Sequence, residues 1–359
     1  MRIPLSNVNL THLERDYVLD ALDTNWISGT GGYITRFEIA LAEKVGRKYA
    51  LAVSNGTVAL ELVLRALGIG PGDEVIVPAF TFVAPAAAVR SVGATPALVD
   101  VDPISWCLSP LDVEAALTRR TQAIIAVDLL GHPADYEWLY EIAPDIMIIE
   151  DGAQSHGALY KGRAVGSLGD VSTFSFHSNK GITTGEGGAV LTDDYDLAQR
   201  LRLIANHGMT SARPYWHEVV GTNYRMPNLS AAIGLAQVQR WDELTQARRE
   251  IVNLYDQYLG YKQRPVVDYA ECVPCLYAMC HPERERIIAH LRSKGIDARP
   301  IWTAIPDLPP YHSNLPFPVA RRIANEAFLL PTWAHMPEAT IKEVADAVIE
   351  AVSAIPEAV

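Results

Sequence analysis

The chain has 359 residues, 49% of them hydrophobic, and carries 30 Lys+Arg against 42 Asp+Glu for a formal net charge of -12. A single core stops growing beyond roughly 250–300 residues, so this length calls for one large domain and a smaller one. The acidic balance argues against the broad basic field that gathers nucleic acid or an anionic membrane, and no uninterrupted apolar run approaches the roughly 20 residues that span a bilayer. The first eighteen residues, MRIPLSNVNLTHLERDYV, place charges where a secretory leader needs an apolar core, and a cytoplasmic protein is expected.

In chain order, the apolar run VIV at 75–77 is followed by TPALVDVD at 95–102, AIIAVDLL at 123–130 and IMIIED at 146–151. Between them lie amphipathic stretches. TVALELVLRAL at 57–67 places apolar residues three and four apart, and SPLDVEAAL at 109–117 opens with a Ser cap and an acidic first turn. Strands alternating with helices predict an α/β domain with a mostly parallel sheet, taken here as residues 1–240. From about residue 241 a polar helix (ELTQARREIVNLYDQYLG) leads into PVVDYAECVPCLYAMC and the helix PERERIIAHLRSKG, which predicts a smaller C-terminal α+β domain over 241–359. Within it IDARPIWTAIPDLPPYHSNLPFP is Pro-rich and aromatic, too apolar for a disordered linker, and is expected to be an ordered loop near a ligand. No internal repeat or low-complexity tract interrupts the chain.

Three stretches carry chemistry. In STFSFHSNKGITTGEGG at 172–188, Lys180 sits in a small, polar turn whose glycines imply backbone passing close to something bulky, although most loop lysines are simply solvated. Asp151 ends the apolar run IMIIED, at the carboxyl end of a parallel strand where α/β ligands bind, and the same residue would also suit a helix N-cap. Ser54-Asn55-Gly56-Thr57 precedes a helix, so free N–H groups and the positive helix end converge as a phosphate requires, though this is also ordinary turn chemistry. Together they supply what pyridoxal phosphate needs: an amine for an imine, a carboxylate for the pyridine nitrogen and a helix end for the phosphate.

Longer stretches extend this set: WISGTGGYITRFE at 26–38, VSNGTVALELVLRALGIGPGDEVIVPAFTFVA at 53–84, IIEDGAQSHGA at 148–158, FSFHSNKGITTGEGGAV at 174–190, NHGM at 206–209 and GTNYRMPNLSAAIGLAQVQRWD at 221–242. On these the chain resembles the DegT/DnrJ/StrS sugar aminotransferases of fold type I, from about residue 5 to its C-terminus. The resemblance implies that Lys180 holds pyridoxal 5'-phosphate as an imine and that Asp151 pairs with the pyridine nitrogen. It further implies Gln154 beside the ring hydroxyl, Phe82 stacked on the ring, and Gly56, Thr57 and Ser175 on the phosphate. Asn223 falls where the family sends an asparagine from the neighbouring subunit to the same phosphate, which implies a homodimer with composite sites.

The run Thr183 to Gly188, Thr-Thr-Gly-Glu-Gly-Gly, resembles the family's 4-keto enzymes rather than those acting at the 3-position. It implies a nucleotide-linked 4-keto-6-deoxy sugar, foremost GDP-4-keto-6-deoxymannose, aminated by glutamate, with Trp26, Ser28 and Tyr311 beside the sugar. A dTDP- or UDP-linked substrate is the alternative, because Asp128 and the loop after Trp302 depart from the pattern. A dehydratase of the family would carry His in place of Lys180. A non-catalytic regulatory protein would have lost Lys180, Asp151, Gln154 or Asn223, and an NAD-dependent oxidoreductase would show Gly-x-Gly-x-x-Gly after its first strand. No metal site is expected from Cys272, Cys275, Cys280 and His281, since residues three apart on a strand face opposite sides. His177 and His207 are read as structural hydrogen-bonders.

Overall fold

The Val- and Ile-rich runs become strands buried on both faces, the pattern of a parallel sheet covered by helices. The computed structural model describes residues 1–210, 212–260 and 267–355. Two helices, α1 (His12–Asp23) and α2 (Gly32–Val45), precede β1 (Tyr49–Val53), α3 (Gly56–Leu67), β2 (Glu74–Pro78) and α4 (Ala84–Ser91). There follow β3 (Thr95–Val99), α5 (Pro110–Ala116), β4 (Thr121–Val127), α6 (Tyr136–Ile142) and β5 (Met147–Asp151). A hairpin, β6 (Leu159–Tyr160) and β7 (Arg163–Ala164), leads to β8 (Val171–Ser175), β9 (Gly188–Thr192) and α7 (Tyr195–Ala205).

Seven of these strands form one sheet in the order β1-β9-β8-β5-β4-β2-β3, in which β9 alone is reversed against its neighbours. The carboxyl ends of β1, β2, β5 and β8 therefore lie along the same rim, where α/β sheets receive ligands. Two local readings change. Ser109 stands at the N-cap of α5 but its side chain makes no capping hydrogen bond, the start being set by Pro110 at the first helical position. No helix follows Asp151; its carboxylate instead accepts from the Ala153 N–H at 3.1 Å in a turn.

After α8 (Asn228–Gln239), α9 (Trp241–Leu259) runs from the large core, where it buries Leu244 and Ala247, into a second core, where it buries Ile251 and Tyr255. Residues 265 and 266 of the stretch after α9 lie outside the described residues. Its continuation forms β10 (Ala270–Glu271), which pairs back onto β6, before β11 (Tyr277–Cys280). The second core packs the antiparallel strands β11, β12 (Arg299–Pro300) and β13 (Ala327–Leu330) under α10 (Arg284–Ser293) and α12 (Glu338–Ser353), and it takes in Ile3 from the N-terminus. The Pro-rich loop ahead of α11 (Pro318–Glu326) is ordered. Ile301, Ala304, Ile305 and Phe317 bury against the large core, and the Ile305 N–H donates to the Ala79 carbonyl at 2.8 Å. Among the described residues no helix is long and apolar enough to cross a membrane.

Candidate active site

A cavity of about 530 Å³ opens at the carboxyl rim of the sheet. Each wall comes from a strand end. After β1, Asn55 caps α3 by accepting the Val58 N–H at 2.9 Å, so the N–H groups of Gly56 and Thr57, the first of the helix, have no partner among the described residues and can meet an anion at its positive end. The start of α3 approaches the end of β8 so closely that a Cβ on Gly56 would lie 2.7 Å from the Cβ of Ser175, and glycine is required there for steric reasons. Ser175, at the end of β8, lines the same wall.

Asp151 closes β5 and is buried. Burial pushes its pKa up to about 6, with Glu150 adding to the rise while the Ala153 N–H and the charge of Lys180 oppose it. A carboxylate so placed favours any cationic ring nitrogen that reaches it. Gln154 accepts the Leu130 N–H through Oε1 at 3.2 Å, which leaves its amide nitrogen as a donor. After β2, Thr81 and Phe82 form a further wall, and the buried Thr81 Oγ has no hydrogen-bond partner among the described residues.

Lys180 reaches the cavity from the turn joining β8 to β9. The Lys180 N–H donates to the His177 carbonyl at 2.9 Å, and the Thr184 N–H closes the turn on the Phe176 carbonyl at 2.9 Å. Gly181 passes His156 so tightly that a Cβ would sit 3.0 Å from that histidine's Cβ. Burial, together with the charges of Lys180 and Arg248, pulls the pKa of His156 down to about 3, so the ring is a neutral plate, stacked on Phe176 with centroids 5.5 Å apart.

The cavity thus gathers seven of the expected residues: Gly56, Thr57, Phe82, Asp151, Gln154, Ser175 and Lys180. Four others lie elsewhere on their own chain. Asn223 is exposed and accepts from Arg225 Nε at 3.0 Å. Trp26 and Ser28 are exposed in the connection between α1 and α2, where Asn228 bonds both of their carbonyls, and Tyr311 is half-buried in the Pro-rich loop. The cavity also recruits Asn55, Thr81, His177, Asn179, Glu186 and Trp302, which the motif reading left off the site. Asn55, Glu186 and Trp302 had a signal, lying in the Ser-Asn-Gly-Thr stretch, the Thr-Thr-Gly-Glu-Gly-Gly run and the aromatic loop. His177 shares a 2.9 Å contact with Asn179 through Nδ1 and lies 3.7 Å from Glu186 through Nε2. Trp302 meets Phe82 edge-on, their centroids 6.4 Å apart, and the two rings form an apolar wall.

An anion cradle, an amine, a buried carboxylate and an aromatic wall around one cavity fit pyridoxal phosphate. Among curated proteins, the GDP-perosamine synthase of Caulobacter vibrioides is 43% identical over 96% of this chain and 96% of its own length. That of Escherichia coli O157:H7 is 40% identical over 97% of this chain and 98% of its own. The solved structure of S. venezuelae DesV superposes with a TM-score of 0.93 at 34% identity, covering 99% of this chain and 100% of that one. The model of the DegT/DnrJ/EryC1/StrS aminotransferase family matches residues 9–349. The chain belongs to that family, and it is a pyridoxal-phosphate-dependent sugar aminotransferase with an α/β fold.

Proposed function

We propose that the protein aminates a GDP-linked 4-keto-6-deoxy sugar, converting GDP-4-keto-6-deoxymannose to GDP-perosamine with glutamate as donor. It does so in the cytoplasm as a homodimer, making an amino sugar of the kind built into lipopolysaccharide O-antigen. The observation that carries the chemistry is the convergence of Lys180, Asp151 and the free N–H groups of α3 on one cavity. The sugar is supported by two perosamine synthases that match the chain almost end to end.

In this reading Gly56, Thr57 and Ser175 hold the phosphate and Asp151 faces the ring nitrogen. Bound pyridoxal phosphate supplies an electron sink for the carbon that loses its proton. Asp151, ionised, keeps the ring nitrogen protonated, which that sink requires. The Lys180 amine, once displaced by the donor's amine, takes the proton from the donor's α-carbon and holds it at Nζ for return. Phe82 and Trp302 shield that exchange from bulk water. Sugar discrimination falls to groups farther out, such as Glu186 and the loop after Trp302, through contacts remote from the reacting carbon.

Incubating the enzyme with glutamate and a panel of GDP-, dTDP- and UDP-linked 4-keto-6-deoxy sugars tests the assignment. Amino-sugar formation is scored by mass spectrometry and specificity constants are compared. The GDP substrate is expected to lead by at least about tenfold, a gap of about 1.4 kcal/mol. A preference for dTDP or UDP substrates would refute the nucleotide, and a 3-amino product would refute the position.

The dimer is supported by the exposed apolar run Leu19, Leu22, Trp26 and Ile27, of a kind that monomers rarely present to water. It is supported as well by Asn223, which is exposed on its own chain beside Tyr224, whose carbonyl accepts the Ser54 N–H at 2.8 Å. Asn223→Ala is expected to weaken cofactor retention. Mixing it with Lys180→Ala under conditions that exchange subunits is expected to restore activity, because each hybrid dimer rebuilds one site with both native residues. At full exchange half of the dimers are hybrid, so recovery of about a quarter of the native activity is the expected size, and no recovery rejects the composite site.

A further inference from the structure

Arg248 on α9 is only 3% exposed, yet its hydrogen bonds go to neutral groups: Nη2 donates to the Lys180 carbonyl at 2.9 Å and Nη1 to the Cys275 carbonyl at 2.6 Å. Its Nε has no partner among the described residues. A buried cation without an anion is among the least favourable groups a fold can carry, and a packed apolar side chain would ordinarily serve stability better. The position therefore calls for an account beyond packing.

The location suggests one. Arg248 follows Leu244 and Ala247, which belong to the large core, and precedes Ile251 and Tyr255, which belong to the second, so it stands where α9 passes between them. One arm grips the turn that carries Lys180; the other grips the segment leading into β11. That turn is rich in glycine, with Gly181, Gly185, Gly187 and Gly188 after the lysine, and so has little intrinsic stiffness. Behind it lies a void of about 10 Å³, room for one water, bordered by Lys180, Gly181, Thr183 and Arg248. With such slack behind it, the lysine's carbonyl depends on an external clamp for its position.

We propose that Arg248 is a positioning residue for Lys180, holding its carbonyl from behind so that the amine is presented to the cavity, and tying that carbonyl to the segment ahead of β11 through the carbonyl of Cys275. The proposal rests on Lys180 being the residue that binds the cofactor. Cofactor-free full-length protein is mixed with pyridoxal phosphate, and the rate of capture is followed by the absorbance of the lysine-bound form; kcat and the KM for glutamate are measured alongside. Arg248→Gln, which keeps one neutral donor, is expected to slow capture and lower kcat at least tenfold, with KM within twofold and an unchanged circular dichroism spectrum. Arg248→Lys, which keeps the charge but gathers its donors on one nitrogen in place of the fork that serves two carbonyls, is expected to fall between, about threefold below native. A folded Gln variant that matches the native rates within twofold overturns the proposal. Should that variant not fold, a Lys variant with native capture and kcat overturns it instead. Failure of the native protein to capture cofactor on Lys180 would strike the functional reading itself, and the two failures are thereby distinguished.

Discussion

Lys180→Ala is expected to abolish transamination while leaving the fold intact. The side chain makes no hydrogen bond or ion pair within the described residues, and the bond from Arg248 goes to the backbone carbonyl, which alanine retains. A half-buried lysine tip with no partner contributes within about 0.5 kcal/mol to stability. The chemistry loses far more. General-base catalysis is worth about 10²–10⁴-fold, and the covalent attachment that places the cofactor is lost with it, so a fall in kcat of at least about 10⁴-fold is expected. Two measurements check this: turnover of the variant with glutamate, and borohydride reduction of the native protein followed by peptide mapping. Retained turnover, or a reduced label on any lysine other than Lys180, would remove the mechanism.

Asp151→Asn is expected to lower kcat by about 10³-fold, because a neutral amide no longer holds a proton on the ring nitrogen. It should also change how the protein responds to pH. In the cofactor-free protein burial raises Asp151 from 3.8 to about 6. A carboxyl raised on folding contributes stability below its unfolded pKa, and that contribution is lost as pH climbs through the folded value. The native protein should therefore lose up to about 3 kcal/mol between pH 4 and pH 7 relative to the Asn variant, taking 1.36 kcal/mol for each pK unit. Cofactor affinity runs the other way. The protonated ring nitrogen needs the ionised carboxylate, so native affinity is expected to fall about tenfold per pH unit below 6, and the Asn variant should show no such slope. Denaturant unfolding at the two pH values, with a cofactor titration at each, separates these signs; parallel curves for native and variant would show that Asp151 is not the titrating group.

How much of this is legible without coordinates depends on the range of the forces involved. Strand and helix identities follow from local pattern: the runs at 75–77, 123–127 and 147–151 are strands because β-branched residues recur there, and α3 begins where Asn55 can cap it. The turn bearing Lys180 is likewise marked by its own glycines, and the expected cofactor residues converge because each lies at the end of a strand or just beyond it. The Ser109 cap misleads for the same local reason, since Ser at that place in a sequence is compatible with capping whether or not the hydroxyl turns toward the helix.

Other parts of the site depend on which strands become neighbours. Trp302 borders the cavity only because the loop after β12 folds back so that the Ile305 N–H bonds the Ala79 carbonyl, more than two hundred residues earlier. Asn223 carries no local sign of facing outward. The sequence by itself determined the main strands and helices of the sheet, the residue types that gather at the cavity, and the strand ends near which they stand. Only the tertiary structure decided that Arg248 reaches the back of Lys180, because that contact joins residues 68 apart through backbone carbonyls, which every residue possesses and no sequence pattern can distinguish.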